Sequence, residues 1–195
     1  MLSAGNLLLM KILLASNSPR RRELLAALSD DVNIAPSREV DENYPATIAT
    51  DEVAPYLSAV KSEAYKDLAA ADTILVTADT VVICDGRILG KPADRDEAVA
   101  MLISLSGRTH HVVTGVTLRR GDTVVTFAET TEVVFGRLDD DEIAYYVDRY
   151  RPYDKAGAYG IQEWIGYVGI ESICGDYYNV MGLPLHRLYQ VLKGM

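Results

Sequence analysis

Two long β-type runs, His110 to Arg119 and Thr123 to Phe135, follow one another through a joint at Gly121-Asp122. So short a joint lets the two runs lie side by side only as antiparallel neighbours. The chain before them has a different rhythm. Leu8 to Ala15 reads as a strand and Pro19 to Leu28 as a helix. Thr50 to about Ala70 reads as one long helix with Thr50 as its N-cap. Thr73 to Ala78 is a short apolar strand, and Val81 to Leu89 a hairpin turning at Asp85-Gly86. Asp94 caps the next helix, with Glu97 as its capping-box partner. After the long runs, Asp139 to Arg149 is helical, a Gly-rich stretch to Gly175 mixes strand and loop, and a last helix runs from about Leu183 to Leu192. Alternation first and antiparallel runs later predict an α/β fold with a mixed, bent central sheet flanked by helices. The 195 residues suit one large domain or two small lobes sharing a cleft, and 49% hydrophobic content is enough for a core without staples.

The formal net charge of −9 argues against a protein that coats a nucleic acid polymer, because phosphate contacts need a basic face. A small anionic ligand is still allowed, since a local basic pocket can exist on an acidic protein. Cys84 and Cys174 are far apart and lack metal-ligand spacing, so both read as reduced core thiols and zinc is not expected. The apolar start from Leu7 to Ala15 is interrupted by Lys11 and lacks a basic leader, which argues against a signal peptide. It is also too short to span a membrane. A cytoplasmic protein is the expectation.

The strongest chemical signal lies where the first strand ends. In Ser16-Asn17-Ser18-Pro19-Arg20-Arg21-Arg22, Ser18 can cap a helix and Pro19 suits its first position. Three arginines then occupy the first turn, the wrong end of the macrodipole for cations. An anion would compensate, and helix-start N–H groups with arginine forks suit phosphate. Successive helical residues point about 100° apart, so Arg20 and Arg21 are better placed than all three together. Pairing with surface carboxylates such as Glu23 is the plainer alternative.

Lys61 falls within the apolar stripe Val53, Leu57, Val60, Ala64 and Leu68. A lysine turned inward needs a partner or an anion, unless it snorkels to the rim. Asp79 follows the apolar run Ile74 to Ala78, where open α/β sheets place a ligand crevice, and can bind a metal or activate water. An aspartate beginning a turn reads the same way. Thr80 beside it offers a hydroxyl. Lys91, between Gly90 and Pro92, can hold a defined direction or be a solvated loop lysine, and Asp41 and Glu42 offer paired carboxylates for a divalent cation or simply an exposed acidic loop. His110 and His111 face opposite ways on a strand and cannot form a metal pair; with His186 they read as structural. No nucleophile elbow, Walker loop or dinucleotide fingerprint is present.

Six segments in order resemble the Maf family of nucleotide pyrophosphatases: Leu14 to Arg21, Ala78-Asp79-Thr80, Leu89 to Pro92, Leu105-Ser106-Gly107 with His111, Lys155 to Gln162, and Asn179 to Leu185. The match runs almost the full chain, so residues 1–195 are expected to form a single domain of this type. The resemblance implies an ITPase-like fold with two lobes around a deep cleft, often as a homodimer. It also implies cleavage between the α- and β-phosphates with a divalent cation, Mg²⁺ or Mn²⁺. Carried over by position, Ser18, Arg21, Glu42, Lys61, Asp79 and Lys91 match the family's polar pocket. Asp79 stands in the place of its general base, with Glu42 and Asp79 as metal ligands. Arg20, Thr80 and Gln162 resemble the subtype acting on dTTP and UTP; the branch acting on 7-methyl-GTP carries a bulky aromatic in place of Arg20. Gln162 can donate and accept, which suits reading a pyrimidine edge. Trp164 nearby reads better as core packing. Two rival readings stand beside this: another substrate, 7-methyl-GTP or a modified nucleotide, and a non-catalytic regulator of cell division (septum formation).

Overall fold

A computed structural model describes residues 10–195. The first two residues of the strand expected from Leu8 lie outside the described residues. In chain order the regular elements are β1 (Lys11–Leu14), α1 (Pro19–Ala26), β2 (Val32–Ile34), α2 (Val53–Ala64), β3 (Thr73–Cys84), β4 (Arg87–Leu89), α3 (Arg95–Leu105), β5 (Thr109–Arg120), β6 (Thr123–Phe135), α4 (Asp140–Tyr150), α5 (Trp164–Gly169), β7 (Ile170–Cys174), α6 (Tyr177–Val180) and α7 (Leu185–Gly194). The strands join in the order β2-β1-β3-β5-β6-β7, with β4 also on β3. β1 runs parallel to β2 and β3, with Leu14 opposite Ile34 on one side and Val76 on the other. β4 and β7 are antiparallel to β3 and β6. The sheet is therefore mixed, as the change of rhythm along the sequence predicts.

The chain divides into two compact units. One holds the residues up to Asp79 with Thr114–Glu129 and Gly182–Met195; the other holds Thr80–Val113 and Thr130–Met181. In the first, Ile12, Leu14, Leu24, Leu25, Leu57, Ile74 and Val76 are buried. Gly115 of β5 meets the start of α2 so closely that a methyl there would lie 2.2 Å from Pro55 N and 2.3 Å from Ala54 C. In the second, Leu102, Leu105, Val112, Phe135, Ile143, Tyr146, Ile161 and Ile165 form the centre of the core. Trp164 packs at the edge of that cluster, as expected of a core residue.

Local chemistry sets most boundaries. The turn at Asp85-Gly86 has positive φ at both residues (49° and 72°), as a two-residue hairpin turn requires. Asp94 caps α3 by accepting from Glu97 N–H at 2.9 Å, but Glu97 reaches one residue further back than a capping box would, to Ala93 N–H. At α4 the box between Asp139 and Glu142 is complete.

Four expectations need correction. The single helix expected from Thr50 to Ala70 is broken into a 3-10 turn at Thr50–Glu52, α2, and another 3-10 turn at Lys66–Leu68. Ala49, not Thr50, stands at the N-cap position of the first turn. The helix ends at Tyr65, whose ring is buried with Ala15, Ala35 and Leu75; that anchorage outweighs local helical propensity. The run Thr73–Ala78 and the hairpin arm from Val81 are one strand, so Asp79 and Thr80 sit inside β3 and not at a strand end. The two cysteines differ: Cys84 is buried, whereas Cys174, on β7, is exposed. The Gly-rich stretch, expected as strand and loop, also contains α5. No helix among the described residues is long and apolar enough to cross a membrane.

Candidate active site: one lysine between two carboxylates

The first unit brings Ser18, Arg20, Arg21, Glu42, Lys61 and Asp79 into one compact body. Ser18 performs the cap read from sequence: its Oγ accepts from Arg21 N–H at 3.4 Å, and Pro19 opens α1. Ser16 supports it by accepting from Ser18 N–H at 3.2 Å.

The three arginines separate as helical spacing demands. Arg22 is exposed, and Arg20 and Arg21 are half-buried. Arg21 turns inward: Nε donates to Gly182 O at 2.8 Å, and Nη1 donates to Ala78 O at 2.9 Å and to Ser16 Oγ at 3.3 Å. Burial lowers its pKa; Asp79 opposes that, Arg20 reinforces it, and Glu42 opposes it more weakly. A guanidinium remains charged through such a shift. Arg21 thus ties the start of α1 to the residue before Asp79 and to the segment entering α7. These acceptors are the part of the site that the sequence reading missed. Main-chain carbonyls leave no residue-type signal, and Gly182 is 161 positions away in the chain. Its φ of 107° explains the glycine in the segment Asn179 to Leu185.

Lys61 is the centre of the cluster. Its Nζ lies 2.5 Å from Asp79 Oδ1 and 3.1 Å from Glu42 Oε1. The lysine and Asp79 side chains are 15% and 14% exposed, whereas Glu42 is 55% exposed. So the inward lysine found in the sequence is paired, which answers the cost of burying its charge. The carboxylates come from different segments, one from the middle of β3 and one from the irregular loop before α2. An ammonium held by one oxygen from each stands where a cation would be shared.

That arrangement tests the divalent ion implied by the resemblance. Mg²⁺ and Mn²⁺ take hard oxygen ligands, and Mg²⁺ commonly uses one or two carboxylates with substrate phosphates and water completing the shell. Two converging carboxylates fit this. A closed protein cage does not exist: among the described residues no group of three or more His, Cys, Asp or Glu side chains could hold a metal. Asp41, the other acid considered for a cation, instead accepts from the backbone and side-chain amides of Asn43.

Thr80, Lys91 and Gln162 belong to the second unit. Lys91 is exposed beside Gly90, whose carbonyl accepts from Gly157 N–H at 3.0 Å. Gln162 is half-buried, and its Oε1 is buried without a protein hydrogen-bond donor. An acceptor desolvated and unmatched by protein calls for a partner of another kind. The segment leading to it is firmly held. Lys155 is buried between Asp154 at 2.8 Å and Glu163 at 3.2 Å; Glu163 Oε2 accepts from Tyr146 Oη, which accepts from Gly160 N–H at 3.0 Å. Of the three histidines, His110 is structural, as read. His110 is fully buried, its Nε2 lies 2.7 Å from Tyr159 Oη, and burial pushes its pKa down to about 4.

A capped arginine turn and a lysine shared by two acids thus lie in one unit of a mixed α/β protein. Residues 11–195 match the family model described as Maf-like protein, and the chain belongs to that family. It is 52% identical over 188 residues to a dTTP/UTP pyrophosphatase of Parabacteroides distasonis, covering 96% of this chain and 97% of the relative. A dTTP/UTP pyrophosphatase of Porphyromonas gingivalis is 53% identical over 190 residues, with 96% of each chain covered. Among solved structures, a HAM1 protein from Coxiella burnetii covers 96% of this chain and 100% of its own at 16% identity and a TM-score of 0.48. A likeness that distant says nothing about activity.

Proposed function

We propose that this chain is a nucleoside triphosphate pyrophosphatase that hydrolyses dTTP and UTP to the monophosphate and pyrophosphate. The observation that carries the reading is Lys61 held between Asp79 and Glu42 in the unit that also presents the arginine turn. The relatives at about half identity over nearly the whole chain support the substrate class.

Ser18 and Pro19 fix the start of α1, where exposed N–H groups and Arg20 attract the phosphate chain. Arg21, committed to Gly182 and Ala78, acts by holding β3 and the α7 segment in register and by adding positive potential. Asp79 orients the attacking water and takes its proton as the oxygen bonds to the α-phosphorus. The bond from that phosphorus to the α–β bridging oxygen breaks, and the electron pair leaves with pyrophosphate. Lys61 orients Asp79 and offsets charge developing on the phosphate oxygens. Glu42 and Asp79 would hold Mg²⁺ or Mn²⁺ through their carboxylate oxygens, and the ion would supply charge neutralisation on the phosphates. Thr80, Lys91 and Gln162 take their roles from the family resemblance: Lys91 towards the departing pyrophosphate, Thr80 and Gln162 towards the nucleotide. No covalent nucleophile is needed, since phosphoryl chemistry of this kind asks mainly for positioning and charge stabilisation.

Replacing Asp79 with Asn tests the assignment. Turnover of dTTP should fall by about 10³-fold, in the range contributed by a positioned acid–base group, while nucleotide binding measured by calorimetry is retained. Near-normal pyrophosphate release by that variant removes Asp79 from its role. A panel of dTTP, UTP, CTP and 7-methyl-GTP, read as pyrophosphate separately from orthophosphate, fixes the substrate. Absence of release from all four would favour a non-catalytic binder.

A further inference from the structure

Glu42 is the least supported member of the cluster. It sits in a stretch, residues 35–45, without regular structure, and more than half of its side chain is exposed. A free loop would present that carboxylate in many positions, and ordering each backbone residue costs about 1–2 kcal/mol. Something must hold it.

Arg38, four residues earlier, makes five contacts that all lead to the end of α2. Its N–H donates to Tyr65 Oη at 2.8 Å. Nη1 donates to Ala64 O at 2.6 Å, one of the carbonyls left open at a helix C-terminus. Nη1 and Nη2 form a fork on Asp67, at 2.5 and 2.8 Å. The guanidinium carbon also stands 4.9 Å from the centre of the Tyr65 ring. A cation at this end of the helix suits the macrodipole. A lone exposed ion pair would count for little. Here the fork, the helix-end carbonyl, the ring and a main-chain bond act on one residue. Two further ties bracket the loop. Asn17 donates to Ser37 Oγ at 3.3 Å, joining it to the arginine turn, and Val40 packs against the cluster containing Tyr65.

The same helix carries Lys61, one turn before Ala64. We propose that Arg38, with Asp67 and Tyr65, is a positioning element that holds the Glu42 loop against the Lys61 helix and thereby sets the site's affinity for its divalent cation. This rests on the reading of Glu42 as a metal-holding carboxylate. Arg38 touches neither metal nor phosphate; it acts through the loop. The loss of its fork frees the loop, and the carboxylate must then be ordered by the metal itself.

Mn²⁺ binding to the full chain with a non-hydrolysable α,β-methylene dTTP, followed by electron paramagnetic resonance of free Mn²⁺, tests this directly. Arg38→Ala and Asp67→Asn should each weaken Mn²⁺ binding by about tenfold, the low end of what groups supporting metal ligands contribute. Arg38→Lys should do nearly the same, because it keeps the charge and loses the fork. The Mn²⁺ needed for half-maximal turnover should rise in parallel, with kcat at saturating Mn²⁺ within about twofold, since the chemistry itself is untouched. Glu42→Gln separates the two levels of inference. If it weakens Mn²⁺ binding and the Arg38 and Asp67 variants do not, the positioning role is wrong. If Glu42→Gln itself leaves Mn²⁺ binding unchanged, the metal assignment fails first and the positioning role with it. A lower melting temperature with unchanged Mn²⁺ affinity would make Arg38 structural and overturn the proposal.

Discussion

Each unit contains a lysine between two acids, and the two lysines are built for different ends. Lys155, in the second unit, is buried between Asp154 and Glu163, and the other oxygen of Glu163 takes the Tyr146 hydroxyl, itself accepting from Gly160 N–H. Asp154 is as exposed as Glu42, each at 55%, but Glu163 is anchored further into the protein through Tyr146. Lys61, in the first unit, is shared by a nearly buried Asp79 and a mostly exposed Glu42 on an irregular loop. The difference lies in what each pair joins: Glu163 ties Lys155 to the Tyr146 hydroxyl, whereas Lys61 links the middle of a strand to an irregular loop in the unit that carries the arginine turn.

The sharpest way to break the contrast is to truncate each lysine. Lys61→Met should lower kcat/KM for dTTP about 10³-fold, equivalent to about 4 kcal/mol of transition-state stabilisation, as expected for the loss of a preorganised charge. Lys155→Met should leave the mostly buried Glu163 facing a gap without its cation and cost about 3 kcal/mol of folding stability, read as a fall of roughly 10 °C in thermal midpoint. If Lys155→Met abolished turnover without loss of stability, or Lys61→Met did the reverse, the two roles would have to be exchanged.

A third test uses pH on the second unit alone. His110 is held neutral, with a folded pKa of about 4 against an ordinary value near 6.5. Between those values the unfolded chain binds the proton and the folded one does not, so stability falls as pH drops from about 6.5 towards 4. The contribution is on the order of 3 kcal/mol, and chemical denaturation of wild type and His110→Phe across that range should isolate it. The smallest effect is expected from Tyr146→Phe, which removes one hydroxyl from the Lys155–Glu163 network and should cost about 1–2 kcal/mol. Because that network ends at Gly160, two residues before Gln162, discrimination between dTTP and CTP should shift more than kcat does.

What could be read from the sequence follows the range of the forces involved. The cap at Ser18, the positive-φ pair Asp85-Gly86 and the start of α3 at Asp94 are local devices, legible within four residues. The inward direction of Lys61 was legible because a lysine breaks an apolar stripe. The identity of its partners was not, since Glu42 and Asp79 reach it through loop and sheet geometry. The continuity of β3 was hidden by the polar pair Asp79-Thr80, which looks like a terminus but is carried through by strand pairing. The end of α2 depends on where Tyr65 is buried, a tertiary fact. Arg21 was legible as an arginine in the first turn of a capped helix, whereas its carbonyl acceptors could be found only in three dimensions.

The bare backbone of Gly115 carries a final consequence. With the start of α2 pressed against it, this residue works as a spacer of minimal thickness between the helix bearing the ammonium and the sheet bearing its aspartate. Any larger residue would wedge that helix outward, and a lysine stem has fixed reach. A change in the packing floor, with no charge altered, would therefore draw the ammonium away from its aspartate, so the glycine sets the geometry of that pair as much as either charged group does.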